Sequence, residues 1–309
     1  YFVTLGPHAF YWFSLEPAEV TARAPEGKAT DHPRWPALTV SAGARDLFRG
    51  RGRASLEAML PDYLATRRWF AGKARQVHYV RITDVISATT ATLPSDNYLL
   101  LLKVAYVEGE PETYLLAVGI ACGDRAEQIF NELPHAVMAR LHVRRSDEPA
   151  VLYEAVWDRG FASYLLHSIA RHRRFRGAAG EIIAMPTPAF RAVRGRGDVN
   201  LEPAVIRAEQ SNTSLTYGDR FILKLFRRPE AGLNPDLEIG RFLTEHPSAV
   251  RVPAVAGYLE YRNGRKEPMT LGILQEFVPN EGDAWSYTLD AVRDYLERVV
   301  TRVANVELK

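Results

Sequence analysis

The residues best suited to chemistry lie in a short polar run and in the apolar strand that follows it. The run Glu209-Gln210-Ser211-Asn212-Thr213-Ser214 separates two strand-like segments. Short polar side chains and exposed backbone N–H groups in such a connection can cradle phosphate oxygens. Beyond a turn at residues 217–220, Lys224 stands within the apolar run 221–226. A lysine there is costly to bury unless a partner or a phosphate meets its charge.

A carboxylate partner for Lys224 is available on the next predicted helix, residues 234–243. Asn234 is suited to cap this helix and Pro235 suits its first turn, which leaves Glu238 to reach the lysine. Taken alone, Lys224 is more typical of a strand's solvent face and Glu238 of a solvated helix. The order of polar loop, strand lysine and helix glutamate is what favours a functional interpretation.

A third element follows in the same order along the chain. The apolar strand 271–274 leads into Gln275-Glu276-Phe277-Val278-Pro279. An open segment after a buried strand resembles the hinge whose backbone binds adenine. The alternative is a core strand that ends in a loop, and without the preceding elements that alternative would be preferred.

The elements that must position these residues alternate between helix and strand patterns, which predicts an α+β fold. A helix is predicted over 55–70, with Ser55 as its N-cap and a bend or break at Pro61, and residues 132–176 are predicted to be mostly helical. The predicted strands cover 77–86, 97–107, 114–120, 205–209, 214–217, 221–226, 255–261 and 269–277.

The composition argues against a protein that binds nucleic acid or a membrane through its overall charge. The 309 residues are 47% hydrophobic and 25% charged, with 39 basic and 37 acidic residues, so no overall field draws the chain to nucleic acid or to a membrane. Basic runs at 49–53 and 171–176 and the cluster 67–73 keep nucleic-acid binding as a third alternative, although no RNA-binding signature accompanies them.

Cysteine and histidine usage argues against metal and disulfide chemistry. The single cysteine, Cys122, permits no internal disulfide and is expected to be a buried, inert thiol in a reducing cytoplasm. The eight histidines lack metal-ligand spacing, so no metal site is predicted.

No apolar run reaches the ~20 residues of a membrane helix, and no signal peptide is recognisable.

Several motifs together resemble bacterial maltokinase, from about Leu38 to the C-terminus. They are Leu60-Pro61-Asp62-Tyr63-Leu64, Arg67-Arg68-Trp69-Phe70-Ala71-Gly72-Lys73, the 210–214 run, the 221–228 strand, the 234–243 helix and Gln275-Glu276-Phe277. Residues 1–16 are similar to the end of the C-terminal β-domain of trehalose synthase, an amylase-family enzyme.

The resemblance implies a protein-kinase-like, aminoglycoside-phosphotransferase-like N-lobe preceded by a small α+β cap. It implies transfer of the γ-phosphate of ATP to the anomeric hydroxyl of maltose, giving maltose 1-phosphate for cytoplasmic α-glucan synthesis, with a trehalose synthase domain in the same polypeptide. The residues implied to contact ATP or to position those contacts are Ser211, Asn212, Thr213, Ser214, Lys224, Glu238, Gln275, Glu276, Phe277 and Val278.

The family's catalytic aspartate and Mg²⁺ ligands are expected in a C-lobe that this chain barely begins. No catalytic residue and no metal ligand is therefore assigned, and the chain alone is expected to be inactive. The implied segments are 1–17 (tail of a preceding β-domain), 18–37 (linker), 38–131 (cap), 132–200 (helical connecting region), 201–279 (N-lobe and hinge) and 280–309 (start of the C-lobe).

Two further alternatives remain open. The chain could be a non-catalytic module that docks onto or regulates trehalose synthase. It could also belong to a kinase of another small hydroxylated substrate, since the contacts to the acceptor are expected largely in the C-lobe.

Overall fold

The computed structural model describes residues 35–41, 43–91, 93–144, 146–196, 201–206, 211–246, 251–264, 266–280, 282 and 284–307. Residues 1–16, with their similarity to the end of a β-domain, and most of the predicted linker lie outside this set. Two β-sheets and six α-helices make up the described part. The α+β prediction is therefore confirmed.

The first sheet has six strands in the order β1-β5-β6-β4-β3-β2, and all its pairs are antiparallel except the parallel pair β1–β5. The helix α1 packs on it through Leu56, Leu60, Tyr63 and Leu64, which are buried. The elements are β1 (Ala37–Val40), α1 (Gly50–Ala65), β2 (Val77–Ser87), β3 (Asp96–Tyr106), β4 (Glu112–Cys122), α2 (Asp124–Glu132), β5 (Val137–Val143) and β6 (Ala150–Glu154).

The helix α1 differs from its prediction at both ends and at its proline. It begins at Gly50 with Arg49 as N-cap, so Ser55 lies inside the helix, and it continues through Pro61 to Ala65. The first turn, Gly-Arg-Gly-Arg-Ala, carries no apolar period and could not be recognised from the pattern. Burial of leucines on both sides of Pro61 stabilises the helix against the backbone hydrogen bond that proline removes.

The second sheet has seven strands in the order β7-β8-β12-β13-β11-β10-β9, and every adjacent pair is antiparallel. From position 203 onward the chain order is three strands, a helix and two strands, as predicted. The elements are α3 (Arg159–Ala170), β7 (Arg174–Arg176), β8 (Glu181–Pro186), α4 (Phe190–Arg194), β9 (Pro203–Ile206), β10 (Asn212–Tyr217), β11 (Phe221–Phe226), α5 (Pro235–Glu245), β12 (Val255–Arg262), β13 (Met269–Glu276) and α6 (Ala284–Glu307).

The region 132–176 is not mostly helical. Among its described residues, only α3, short 3-10 turns and the last residue of α2 are helical. β5 and β6 complete the first sheet, and β7 joins the second. The apolar runs of β5 and β6 are short, and short apolar runs do not distinguish a buried strand from a helix by period alone. Residues 132–200 therefore supply strands to both sheets instead of forming a separate helical layer.

One hydrophobic core joins the two sheets. Leu99 and Leu101 of β3, Leu165 of α3, and Leu223 and Leu225 of β11 belong to the same buried cluster. Because the two sheets share this core, we expect them to unfold together.

A buried carboxylate adds a polar connection between the sheets. Asp84 of β2 accepts hydrogen bonds from the backbone N–H groups of Ala178, Ala179 and Gly180 at 2.8, 3.1 and 2.9 Å, and from the Tyr261 hydroxyl at 2.9 Å. Burial first, and then this bond to Asp84, raise the pKa of Tyr261. Asp84 thus fixes the β7–β8 turn against the first sheet.

The cysteine prediction is wrong, because Cys122 is exposed at the end of β4. It is the last residue of the strand, where the buried pattern of β4 ends. Among the described residues, no helix has both the length and the apolarity to cross a membrane.

Candidate functional site

Lys224 lies near the middle of β11 on one face of the second sheet. It is half-buried, while its neighbours Leu223 and Leu225 are buried on the opposite face. Its cross-strand partners are Ser214 of β10 and Ile273 of β13. Directly opposed residues point to the same face, so these two side chains lie beside Lys224.

The helix α5 packs on the same face. Leu237 forms a cluster with Val255, Tyr258 and Ile273. Asn234 caps the helix, with its Oδ1 accepting from the Leu237 N–H at 3.1 Å, as predicted. The sheet and α5 together form a surface on which Lys224 is half-buried.

Ser214 is the most unusual polar residue on this face. It is fully buried, and its Oγ has no hydrogen-bond partner among the described residues. An unpaired buried hydroxyl costs about 1–3 kcal/mol. Its position opposite Lys224 fits a site in which an ammonium or a bound polar group completes the bonding.

The predicted polar loop is shorter than expected, because β10 begins at Asn212. Ser211 precedes the strand, Asn212 and Ser214 point to the Lys224 face, and Thr213 points to the opposite face. The Thr213 Oγ1 accepts a hydrogen bond of 2.7 Å from the Arg227 Nε. Residues 209 and 210 lie outside the described set.

The pairing of Thr213 leads to a buried ion pair that the sequence did not reveal. Arg227 and Glu154 are each 3% exposed, and their side chains are in direct contact. Tyr63 donates a hydrogen bond of 3.0 Å to the other oxygen of Glu154, and burial, followed by the charge of Glu154, raises the pKa of Tyr63. The Arg227 guanidinium lies 4.6 Å from the centroid of the Trp69 ring.

This ion pair joins the two sheets, because Glu154 ends β6 and Arg227 follows β11. Their pairing could not be predicted from the sequence, because each residue stands beside an apolar strand and no local pattern marks it as one of a pair. A cavity of about 470 Å³ borders the pair. Thr213 is therefore held from the side of the first sheet, close to the polar segment that precedes β10.

Glu238 is not brought to Lys224. It is exposed and lines a cavity of about 250 Å³ together with Arg241 and Glu260. No ion pair between Lys224 and Glu238 forms within the described part of the chain. The helix turns about 100° per residue, so the burial of Leu237 directs Glu238 sideways.

The predicted hinge residues follow the end of β13. Gln275 is paired with Ile222 and so shares the Lys224 face. The Phe277 N–H donates to the Arg220 carbonyl at 2.9 Å, and the Glu276 N–H donates to the Ala254 carbonyl at 2.8 Å. Val278 is 51% exposed and lies beyond the end of β13.

The first sheet can be compared with known domains. Residues 63–158 match the family described as the maltokinase N-terminal cap domain. This part of the chain is maltokinase-like. The matched segment runs from the end of α1 to the N-cap of α3, so the match continues past residue 131 and includes β5, β6 and Glu154.

A solved glucosamine kinase is similar to the chain in part. The two share 15% sequence identity with a TM-score of 0.38, and the similarity covers 69% of this chain and 38% of that kinase. The chain thus spans about two fifths of the length of the kinase it matches.

Proposed function

We propose that this chain forms the cap and the nucleotide-binding sheet of an ATP-dependent phosphotransferase that acts on a sugar hydroxyl. The observation that carries the proposal is the match of residues 63–158 to the maltokinase cap. Physical support comes from the surface beside the cap, where the half-buried Lys224 lies opposite the unpartnered Ser214 hydroxyl. The proposed reaction converts ATP and maltose to ADP and maltose 1-phosphate.

In this proposal the residues of the Lys224 face hold the nucleotide. The Lys224 ammonium contacts phosphate oxygens, and Ser211 and Asn212 supply polar groups at the start of β10. Gln275 and Val278 border the adenine, with Val278 beyond the last strand hydrogen bonds. Because phosphoryl transfer depends on positioning and charge neutralisation, these contacts raise the rate by holding the phosphates in place.

Thr213 has a different proposed role, since its hydroxyl is already bonded to Arg227. It anchors β10 from the side of the cap instead of contacting phosphate through its side chain. Glu238 has no role in the proposed nucleotide site, because it is exposed on α5 and does not reach Lys224.

Magnesium supplies the neutralising charge in reactions of this class. Among the described residues, no group of three or more His, Cys, Asp or Glu side chains could hold a metal ion. We therefore propose that the metal ligands and the base come from outside this set, in a polypeptide that also carries the trehalose synthase domain and acts in cytoplasmic glycogen metabolism.

The proposal is tested by incubating a polypeptide that contains this chain together with the proposed metal ligands and base with ATP, Mg²⁺ and maltose. We expect release of ADP together with maltose 1-phosphate. Glucosamine and an aminoglycoside serve as alternative acceptors in parallel. Phosphorylation of one of these but not of maltose would reject the maltose assignment, and no phosphorylation together with tight binding to trehalose synthase would favour a docking module.

A further inference from the structure

A strongly basic segment lies behind the second sheet, on the side opposite Lys224. Residues 167–196 contain seven arginines and one acidic residue, Glu181, whereas the whole chain has 39 basic and 37 acidic residues. Clustering like charges on one surface costs free energy through self-repulsion. Such a cluster therefore calls for a partner or a structural reason.

Part of this segment surrounds a cavity of about 360 Å³ between α3 and α4. His167 and Arg171 approach it from the end of α3, and Arg191 and Arg194 from α4. Its other lining residues are small or apolar, and they are Ser163, Leu166, Ala170, Phe190 and Leu201. No acidic side chain is among the described residues that line it.

No counter-charge for the three arginines of this cavity is found in the described part of the chain. Within the described ranges, Arg171, Arg191 and Arg194 form no ion pair and no side-chain hydrogen bond, whereas Arg227 is paired with Glu154 and Arg125 with Asp158. Cations near helix C-termini stabilise the helix dipole by about 0.3–1 kcal/mol each. That effect accounts for a cation at each helix end, but not for the apolar floor between them.

We propose that this cavity binds a phosphomonoester whose organic part has an apolar face. Guanidinium groups present paired N–H donors that match phosphate oxygens, and the apolar floor accepts a ring or hydrocarbon. The volume falls within the range of small-molecule sites, roughly 300–1,000 Å³. A nucleic-acid strand would instead need cations spread along a track, and here three converge on one cavity.

The site is separate from the proposed nucleotide face and does not depend on the proposed phosphotransferase activity. Its floor nevertheless touches the strand that carries Lys224. The rings of Phe190 and Phe221 are stacked with their centroids 5.1 Å apart, and Phe221 is the first residue of β11. The Phe190 ring therefore lies between a ligand in the cavity and Phe221 of β11.

The test is calorimetric titration of the whole chain with phenyl phosphate, and separately with inorganic phosphate. We expect phenyl phosphate to bind more tightly, because only it fills the apolar floor. Replacing both Arg191 and Arg194 by glutamine should weaken phenyl phosphate binding at least about tenfold, since charge-assisted hydrogen bonds are lost. The matched control is the double change Arg173→Gln and Arg176→Gln, which removes the same charge outside the cavity and should change affinity less than about twofold.

Four results would overturn the proposal. One is the absence of phenyl phosphate binding to the unaltered chain, and another is an equal loss in both double variants, which would indicate general charge attraction. The third is a loss caused by Lys224→Met instead, which would place the ligand on the nucleotide face. The fourth is that a single-stranded oligonucleotide binds more tightly than phenyl phosphate and loses affinity in both double variants, which would indicate a nucleic-acid site.

Discussion

Replacing Lys224 by methionine is expected to lower the rate of maltose phosphorylation at least about 100-fold, the scale on which loss of one charged transition-state contact is felt. Methionine keeps much of the apolar stem of the side chain and removes only the ammonium. Within the described residues Lys224 forms no ion pair, so the melting temperature should change little. The measurement is the rate of maltose 1-phosphate formation at saturating ATP, made with the polypeptide used to test the proposed function.

Lys103→Met is the matched control for this prediction. Lys103 is an exposed lysine on β3 of the first sheet, and its loss should leave the rate unchanged. Lys224→Arg should recover little activity, because the guanidinium is larger and differs in geometry from the ammonium. Normal turnover by Lys224→Met would show that the phosphates are held elsewhere.

Replacing Arg227 by alanine is expected to lower the free energy of unfolding by about 3–5 kcal/mol, because the change leaves the Glu154 carboxylate buried without its counter-charge. The side chain also loses its bond to Thr213 and its contact with Trp69. Chemical denaturation followed by tryptophan fluorescence measures the effect. Because the pair joins the two sheets, the loss should appear in one transition.

Two further variants test whether the loss comes from the buried, unpaired charge of Glu154 or merely from shortening an arginine side chain. Arg293→Ala removes one side of an exposed ion pair with Asp290, in which both side chains are more than 60% exposed, and should cost no more than about 1 kcal/mol. The double change Glu154→Gln and Arg227→Met removes both charges and should recover most of the loss. A cost of less than about 1 kcal/mol for Arg227→Ala would mean that the pair is not buried.

Much of the fold was predictable from the sequence because its strands carry strong local signals. β2, β3, β4, β11, β12 and β13 lie within one or two residues of their predictions, and the Asn234 cap is confirmed. The errors fall where local patterns are ambiguous. The strands at 137–143 and 150–154 were included in a mostly helical region, and the first turn of α1 has no apolar residues.

The candidate site was only partly predictable, for a different reason. Lys224, Ser214 and Gln275 were each singled out from the sequence, but their common face depends on the pairing of β11 with β10 and β13. Glu154 and Arg227 could not, since they come from elements 73 residues apart and nothing local marks them as partners. The direction of Glu238 depends on which side of α5 is buried, and that is decided by packing against β12.

Binding of ATP to the Lys224 face can be measured by hydrogen–deuterium exchange with and without ATP. We expect slower exchange in peptides covering residues 211–226 and 275–280, and little change in peptides covering 161–171 and 190–196 on the opposite side of the sheet. Protection confined to the second group, or no protection in the first at saturating ATP, would contradict it.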